Sequence, residues 1–282
     1  MKKIDFHTHT TASDGIFSPR QLIDLAVRNG IVAMAITDHD TVEGLPEAMD
    51  YAASLGLRLY PGIEFSIEYA TGSFHLIGLD IDYRHEGLRS TAKRLTEFRN
   101  NRIFRIIDDL KQHGIDIPLD EVMAAAGGGA MGRPHVARVM VSHGHGPNIK
   151  DIFKNYLVPG KPGYVKKVRI EFNEAVALIK ESGGIPVIAH PVSLECRDMD
   201  EFEGLLKGFV GAGVEGVEAY ASMHTPEMAE MYRALAVKYN LVITGGSDFH
   251  GDKDETMGNY QKESPIPFEL YEQLESYIGR RL

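Results

Sequence analysis

Twelve histidines occur in this sequence of 282 residues, and the informative ones share a placement: each closes or adjoins a short apolar run. His7 and His9 follow Ile4 to Phe6, Asp38-His39-Asp40 follows Ile31 to Ile36, and Glu64 follows Leu57 to Ile63. His190 comes directly after Ile185 to Ala189, and Asp248 and His250 come just after Leu241 to Thr244. His75, early in the run from Phe74 to Ile81, is the exception. A lone His-x-His is an ordinary polar pair, and His190 alone is an ordinary helix cap. Five run ends that each deliver an imidazole or a carboxylate point to a metal centre. A set of imidazoles and carboxylates without thiolate suits Mn²⁺, Zn²⁺ or Fe²⁺ rather than an all-oxygen calcium site.

Such ligands need a fold that gathers the ends of strands, and the surrounding pattern supplies one. Ile4 to Phe6 reads as a strand, Ser18-Pro19 as the N-cap and first position of a helix, and Gly30 as that helix's stop. Ile31 to Ile36 is a buried strand, Glu43 to Leu55 a helix and Leu57 to Ile63 a third strand. Phe74 to Ile81 is a fourth, entered through Thr71-Gly72-Ser73. From His85 to Tyr164 the alternation stops. Leu95, Phe98, Ile103, Ile106, Ile107 and Leu110 fall near helical spacing, and Gly127-Gly128-Gly129 with Gly132 breaks the next segment. Alternation then resumes with helix Asn173 to Glu181, strand Ile185 to Ala189, helix Met199 to Val210, strand Val214 to Tyr220, helix Pro226 to Tyr239, strand Leu241 to Thr244 and a last helix from about Pro267. Seven strands, most of them followed by helices, predict a parallel α/β architecture whose strand C-termini share one face. Periodicity alone does not separate a closed barrel from an open sheet. Residues 1–84 and 165–282 are read as the metal-binding barrel, and residues 85–164 as a mostly helical insertion covering its active site.

Composition narrows the function. The hydrophobic fraction is 43% and the charged fraction 25%, ordinary for a chain with a buried core. Thirty basic against forty acidic residues give a net charge of −10, which argues against grip on duplex nucleic acid but not against a small anionic substrate held beside divalent cations. No run of about 18 apolar residues is present to span a bilayer, and the N-terminus lacks the apolar stretch of a signal peptide. The single cysteine, Cys196, excludes an internal disulfide and any cysteine-built metal site. A soluble cytoplasmic protein is expected, its oligomeric state unread.

In order along the chain stand Asp5-Phe-His-Thr-His-Thr10, Ile36-Thr-Asp-His-Asp40, Gly62-Ile-Glu64, His75-Leu-Ile-Gly78, Ala189-His-Pro191 and Gly246-Ser-Asp-Phe-His250. Together they resemble the ordered signature of the PHP (polymerase and histidinol phosphatase) family, from residue 5 to residue 251. The resemblance implies a distorted seven-stranded (β/α) barrel with two or three divalent metal ions, Mn²⁺ first, with Zn²⁺, Fe²⁺ or Mg²⁺ as alternatives. It implies that His7, His9, Glu64 and Asp248 hold one metal, and that Glu64 bridges to a second held by His75 and His190. Asp14, His39 and His250 would hold a third. Many family members have a histidine where this chain has Asp14, and an oxygen ligand there changes softness and charge.

Two metals bridged by a carboxylate imply hydrolysis by a metal-activated hydroxide, with phosphoester and amide as the substrate classes. The insertion favours phosphate. Arg99-Asn100-Asn101-Arg102 places two guanidiniums at i and i+3 of a helix, Arg133-Pro134-His135 follows the glycine-rich break, and Lys161 lies in Pro159-Gly-Lys-Pro-Gly163. Guanidinium forks match phosphate geometry. The insertion resembles a branch of the family whose members remove the 3′ phosphate of nucleoside 3′,5′-bisphosphates or trim short RNA from its 5′ end. The resemblance places Arg99 to Arg102 and Arg133 to His135 on the non-scissile phosphate, with Asp14, His39 and His250 near both substrate and metal. Glu64, His39, Asp14 and His250 are therefore the expected catalytic set. The rival readings are a histidinol-phosphate phosphatase, an amidohydrolase-type C–N hydrolase, which usually wants a strand-end lysine absent here, and a catalytically silent metal-binding module.

Overall fold

The short strand β1 (Lys3–Asp5) opens a seven-stranded sheet whose neighbours follow chain order: β1, β2 (Ile31–Ile36), β3 (Arg58–Ile67), β4 (Phe74–Leu79), β5 (Ile185–Ile188), β6 (Gly216–Ala221) and β7 (Val242–Gly246). The computed structural model describes residues 2–69, 72–253 and 255–281; Thr71 of the expected Thr71-Gly72-Ser73 turn lies outside them. The ring closes where β1 meets β7. Phe6 N donates to Gly245 O (3.0 Å), Phe249 N to His7 O (3.3 Å) and His9 N to Phe249 O (2.9 Å). Those bonds decide for a barrel over an open sheet, and they place the first and last ligand-bearing segments side by side.

Helices cover the outside. α1 (Pro19–Arg28) begins as its sequence dictates, since Ser18 Oγ accepts from Gln21 N while Gln21 Oε1 accepts from Ser18 N, a reciprocal capping box. Further round the barrel lie α2 (Leu45–Ser54), α7 (Phe172–Glu181), α8 (Met199–Ala212), α9 (Pro226–Lys238) and α10 (Glu269–Arg281). Between β4 and β5 come α3 (Glu86–Gln112), α4 (Leu119–Ala125), α5 (Arg133–Ser142) and α6 (Ile149–Ile152), with a π-helical turn over Phe153–Leu157. A small ribbon of β8 (Asn259–Gln261) and β9 (Ser264–Pro265) precedes α10. Among the described residues no helix is long and apolar enough to cross a membrane.

The sheet departs from the all-parallel expectation at one strand. β4 runs antiparallel to both β3 and β5. The cause is connection length: only residues 68–73 separate β3 from β4, whereas a parallel crossover needs roughly a dozen or more. The reversal explains the misplaced histidine, because the N-terminal end of β4 lies with the C-terminal ends of its neighbours. His75 pairs with Ser66 in that register and reaches the same face as the other ligands. β3 also continues past Ile63, so Glu64 sits inside the strand opposite Ile77 rather than after its end.

Two apolar cores divide the molecule. The larger fills the barrel and the seams under its helices, and it includes Leu88, Ala92 and Leu95 from the first turns of α3. The second is made wholly of residues between 103 and 165, and Ile103, Ile106 and Leu110 of α3 share it with Val136 and Met140 of α5. The helix is thus shared, its first half seated on the barrel and its second half carrying the insertion. Ile106→Ala, which empties a fully buried position, should cost about 2–5 kcal/mol locally. Limited proteolysis mapped by mass spectrometry should then find its first cuts between residues 103 and 165, with the barrel intact; simultaneous digestion of both parts would contradict separate packing.

Candidate metal centre

Buried aspartates first fix the loops that present the ligands. Asp5 accepts from Ser247 N (2.9 Å), Ser247 Oγ (2.5 Å) and Gly258 N (2.7 Å), which ties the end of β1 to the segment after β7. Asp38 accepts from Thr10 N (2.8 Å), Thr10 Oγ1 (2.7 Å) and Ser13 Oγ (2.6 Å), holding the turn that carries Asp14. Asp40 accepts from Ser66 N (2.9 Å) and pairs with Lys167 Nζ (2.9 Å). Of the triplet Asp38-His39-Asp40, only the central residue turns toward the barrel mouth.

Glu64 lies at the middle, fully buried. Its Oε2 is 3.4 Å from His7 Nε2, 3.5 Å from His9 Nε2 and 2.7 Å from His39 Nδ1. Its Oε1 is 2.9 Å from His75 Nδ1 and 3.1 Å from His190 Nε2. Asp248 Oδ1 approaches His7 Nε2 (3.3 Å) and His9 Nε2 (3.1 Å). Asp14 Oδ1 lies 3.5 Å from His250 Nε2. Ligand atoms within 4.8 Å of one another form three overlapping groups: His7, His9, Glu64 and Asp248; His39, Glu64 and His75; and His9, Asp14, His39 and His250. All nine residues expected to ligate metal therefore converge on one mouth, with His190 on the same Glu64 oxygen as His75.

The donor atoms fit divalent cations. His7 Nε2, Asp14 Oδ1, His39 Nδ1 and Glu64 Oε2 are buried without a hydrogen-bond partner. Buried polar atoms are seldom left so, and four in one place mark atoms arranged for something other than each other. Even the 2.7 Å approach of His39 Nδ1 to Glu64 Oε2 is not aligned as a hydrogen bond. Electrostatics agree. Burial alone would raise the carboxyls of Asp14, Glu64 and Asp248, but Arg99 and the surrounding imidazoles outweigh it and hold all three well below the ordinary carboxylate range. Burial lowers His9 to about 3 and His75 to about 4, so both are neutral, the ligating form. Against burial, Asp248 and Asp14 raise His250 to about 10, so a cation binding there displaces a proton.

Beside this cluster opens a cavity of about 250 Å³ between barrel mouth and insertion. Asp14, His39, Arg99, Arg102, Arg133, Pro134 and His250 line it, as the sequence suggested for substrate contacts. Three other expectations need correction. Asn100 and Asn101 follow Arg99 on the helix and are rotated off the face that Arg99 and Arg102 share. Asn100 Oδ1 accepts from Met131 N (2.8 Å) in a neighbouring cleft, and Asn101 is exposed. His135 is fully buried and caps its own helix, its Nδ1 accepting from Gly132 N (2.9 Å). Lys161 is exposed on a turn and does not line the cavity. A larger cleft of about 430 Å³ sits beside the start of β7 and against α10, where no histidine converges.

The sequence reading missed Lys167 and Arg169, which line the cavity from the segment returning to the barrel. They alternate with the exposed Lys166 and Val168, a period of two whose inward members are both cations. It also missed Glu218, whose Oε1 meets His7 Nδ1 at 3.0 Å.

Residues 5–157 match the family described as the PHP domain. The chain is 33% identical to a 3′,5′-nucleoside bisphosphate phosphatase of Chromobacterium violaceum across 99% of both sequences. It is 34% identical to the 5′-3′ exoribonuclease Rnm of Salmonella typhimurium, over 87% of this chain and 84% of that one. Among solved structures, a Bifidobacterium adolescentis protein provisionally named a metal-dependent phosphoesterase superposes with a TM-score of 0.86 at 28% identity, covering 98% of this chain and 96% of that one.

Glu64 belongs to two of the three groups of potential ligands, which would make it a shared ligand. Glu64→Ala should therefore reduce bound metal per chain at two positions rather than one when Mn²⁺-equilibrated protein is analysed by elemental mass spectrometry. Loss of a single equivalent would show that the carboxylate does not bridge.

Proposed function

This chain belongs to the PHP domain family and is a hydrolase of phosphoric esters, and we propose that it removes the 3′ phosphate of nucleoside 3′,5′-bisphosphates. The observation that carries the reading is an imbalance of charge in the cavity. Five cations line it. Arg99 is paired with Asp14 (2.7 Å) and Lys167 with Asp40 (2.9 Å). Among the described residues, Arg102, Arg133 and Arg169 have no carboxylate within ion-pair distance. Burial, then the neighbouring Arg133 and Arg99, bring Arg102 down to about 9, and burial lowers Arg133 as well. Buried like charges without a counter-ion are costly unless a ligand supplies the countercharge.

The backbone holds those forks open. Arg102 Nε donates to Val165 O (2.7 Å), and Arg133 Nη1 to Leu157 O (2.9 Å), with the Arg133 guanidinium 5.2 Å from the centre of the Phe153 ring. The remaining N–H groups are available for a phosphate dianion, which guanidinium recognises in bidentate fashion. When bound, the divalent ions supply Lewis-acid activation of water and neutralise charge on the reacting phosphoryl group. In this reading His39 and His250 border the scissile phosphate, Asp14 holds Arg99 in register with it, and the three unpaired arginines hold the second phosphate. A nucleoside 3′,5′-bisphosphate is a small molecule presenting both groups at once, and the cavity is of matching scale. Histidinol phosphate instead carries an ammonium group that these arginines repel. Mn²⁺ is the metal of this reading, since a mixed imidazole and carboxylate set accepts several borderline divalent ions; Zn²⁺, Fe²⁺ or Mg²⁺ would be told apart by elemental analysis of the purified protein.

Phosphate release from a nucleoside 3′,5′-bisphosphate should exceed that from the matching 5′-monophosphate and from histidinol phosphate, and should be faster than release of mononucleotides from a 5′-phosphorylated short RNA. Preference for the RNA would reassign the substrate to the polymer, and preference for histidinol phosphate would sink the arginine argument. A charge-assisted contact contributes about 1.5–3 kcal/mol, roughly 10- to 100-fold in kcat/KM. Arg133→Ala and Arg169→Ala should each lose that much on the bisphosphate and stay within about threefold on an aryl phosphate. Equal losses on both substrates would place these residues outside a second-phosphate site.

A further inference from the structure

A second buried carboxylate stands behind the metal centre and belongs to none of its ligand groups. Glu218 lies within β6, its side chain 1% exposed. Its oxygens are divided between two ligand residues: Oε1 accepts from His7 Nδ1 at 3.0 Å, and Oε2 accepts from the backbone N–H of His190 at 2.7 Å. A carboxylate only accepts, so His7 carries a proton on Nδ1. The ring nitrogen left to ligate is Nε2, which faces Glu64 Oε2 and Asp248 Oδ1 and has no hydrogen-bond partner.

The second contact falls on a strained backbone. His190 has φ 23° and ψ 67°, a conformation a residue with a Cβ rarely adopts and one that must be held by its surroundings. One carboxylate therefore touches the ring of a ligand facing one oxygen of Glu64 and the backbone of a ligand facing the other. No other ligating histidine has an equivalent among the described residues. His250 Nδ1 donates to the Asp248 carbonyl (2.8 Å), His190 Nδ1 meets Ser193 Oγ (2.9 Å), and His9 Nδ1 is without a partner. The packing admits Glu218 only because residue 246 is glycine: a Cβ there would lie 2.7 Å from Glu218 Oε1 and 2.1 Å from His7 Cβ.

We propose that Glu218 is a positioning residue of the metal centre, fixing the tautomer of His7 and the backbone of His190 so that both rings turn Nε2 toward Glu64. The proposal rests on reading this site as a metal centre and is independent of the substrate. Partners of this kind orient the ring and raise its basicity, and losing one typically costs 10- to 100-fold in metal affinity. Glutamine fills the same space with the wrong chemistry. Its amide oxygen can still accept from His190 N–H, but its NH₂ then opposes the Nδ1 proton of His7. Relief requires the proton to move to Nε2, the ligating atom, or the ring to turn away.

The test titrates Mn²⁺ calorimetrically into metal-free wild type and Glu218→Gln, with circular-dichroism melts of both metal-free proteins. We expect about 10- to 100-fold weaker binding in the variant with an unchanged melt. Equal affinities would overturn this proposal alone, while a wild type that takes up no metal would overturn the metal-centre reading and this proposal with it. Should the variant fail to fold, the wild type decides. In the Zn²⁺-loaded protein, ¹⁵N spectra of the imidazoles should show His7 protonated at Nδ1 and coordinated through Nε2. Coordination through Nδ1 would overturn the assignment.

Discussion

Five imidazoles crowd one carboxylate that water does not reach, and the rest of the molecule is arranged so that this is tolerable. A fully buried anion costs several kcal/mol unless charges or hydrogen bonds replace its hydration. Glu64 has His7, His9 and His39 on one oxygen and His75 and His190 on the other. The imidazoles compensate it by two routes. Some are driven neutral by burial, as His9 and His75 are, while His190 is raised by its hydrogen bond to Glu64 even though burial opposes its charge. Neutral rings are ready as ligands, and a cationic ring must release its proton first, so metal uptake and proton release are one event at this mouth.

Holding so many polar groups together strains the chain at its rim. Asp40, His190 and Asp248 all adopt positive φ, at 56°, 23° and 54°, and each follows a barrel strand. Backbone of this kind persists only where neighbours over-determine it. Asp40 N bonds to Glu64 O (3.0 Å), His190 N to Glu218, and Ser247, just before Asp248, to Asp5 through both backbone and side chain. Acidic residues thus have two separate tasks at the mouth. Asp14 and Glu64, each with an unpartnered oxygen, face the histidine cluster, and those saturated with N–H and O–H donors hold the turns.

The division explains what could be read from sequence. The residues that converge at the mouth were legible because most strands are apolar up to their ends, so a histidine or carboxylate there breaks a clear pattern. His75 looked out of place only while β4 was taken as parallel, and the short link over residues 68–73 already forbids that. Side-chain direction within irregular segments was harder. Arg99 and Arg102 were correctly paired by helical spacing, but the same spacing turns Asn100 and Asn101 away, and His135 spends Nδ1 on its own helix terminus. Lys167 and Arg169 were invisible because extended chain after a helical insertion gives no reason to favour one face over the other. Glu218 was hidden differently: in Gly216-Val-Glu-Ala-Tyr-Ala221 a single acid reads as the solvent face of a strand, and only barrel closure shows that this face is interior.

The location of the arginines follows from the same electrostatics. Guanidiniums set directly among Glu64, Asp248 and the histidines would compete with divalent ions for the oxygens. The cations instead form a layer above the ligands, carried by α3, by the start of α5 and by the returning segment. Two buried ion pairs join the layers: Arg99 to Asp14 on the β1 loop, and Lys167 to Asp40 after β2. Asp14 spends Oδ2 on Arg99 and leaves Oδ1 facing His250, so one carboxylate belongs to both layers. The joint is tight enough that a Cβ on Gly129 would lie 1.8 Å from Thr11 O. The net charge of −10 therefore does not speak against a small anionic substrate, because the unpaired cations are gathered in one cavity and that cavity adjoins the candidate ligands.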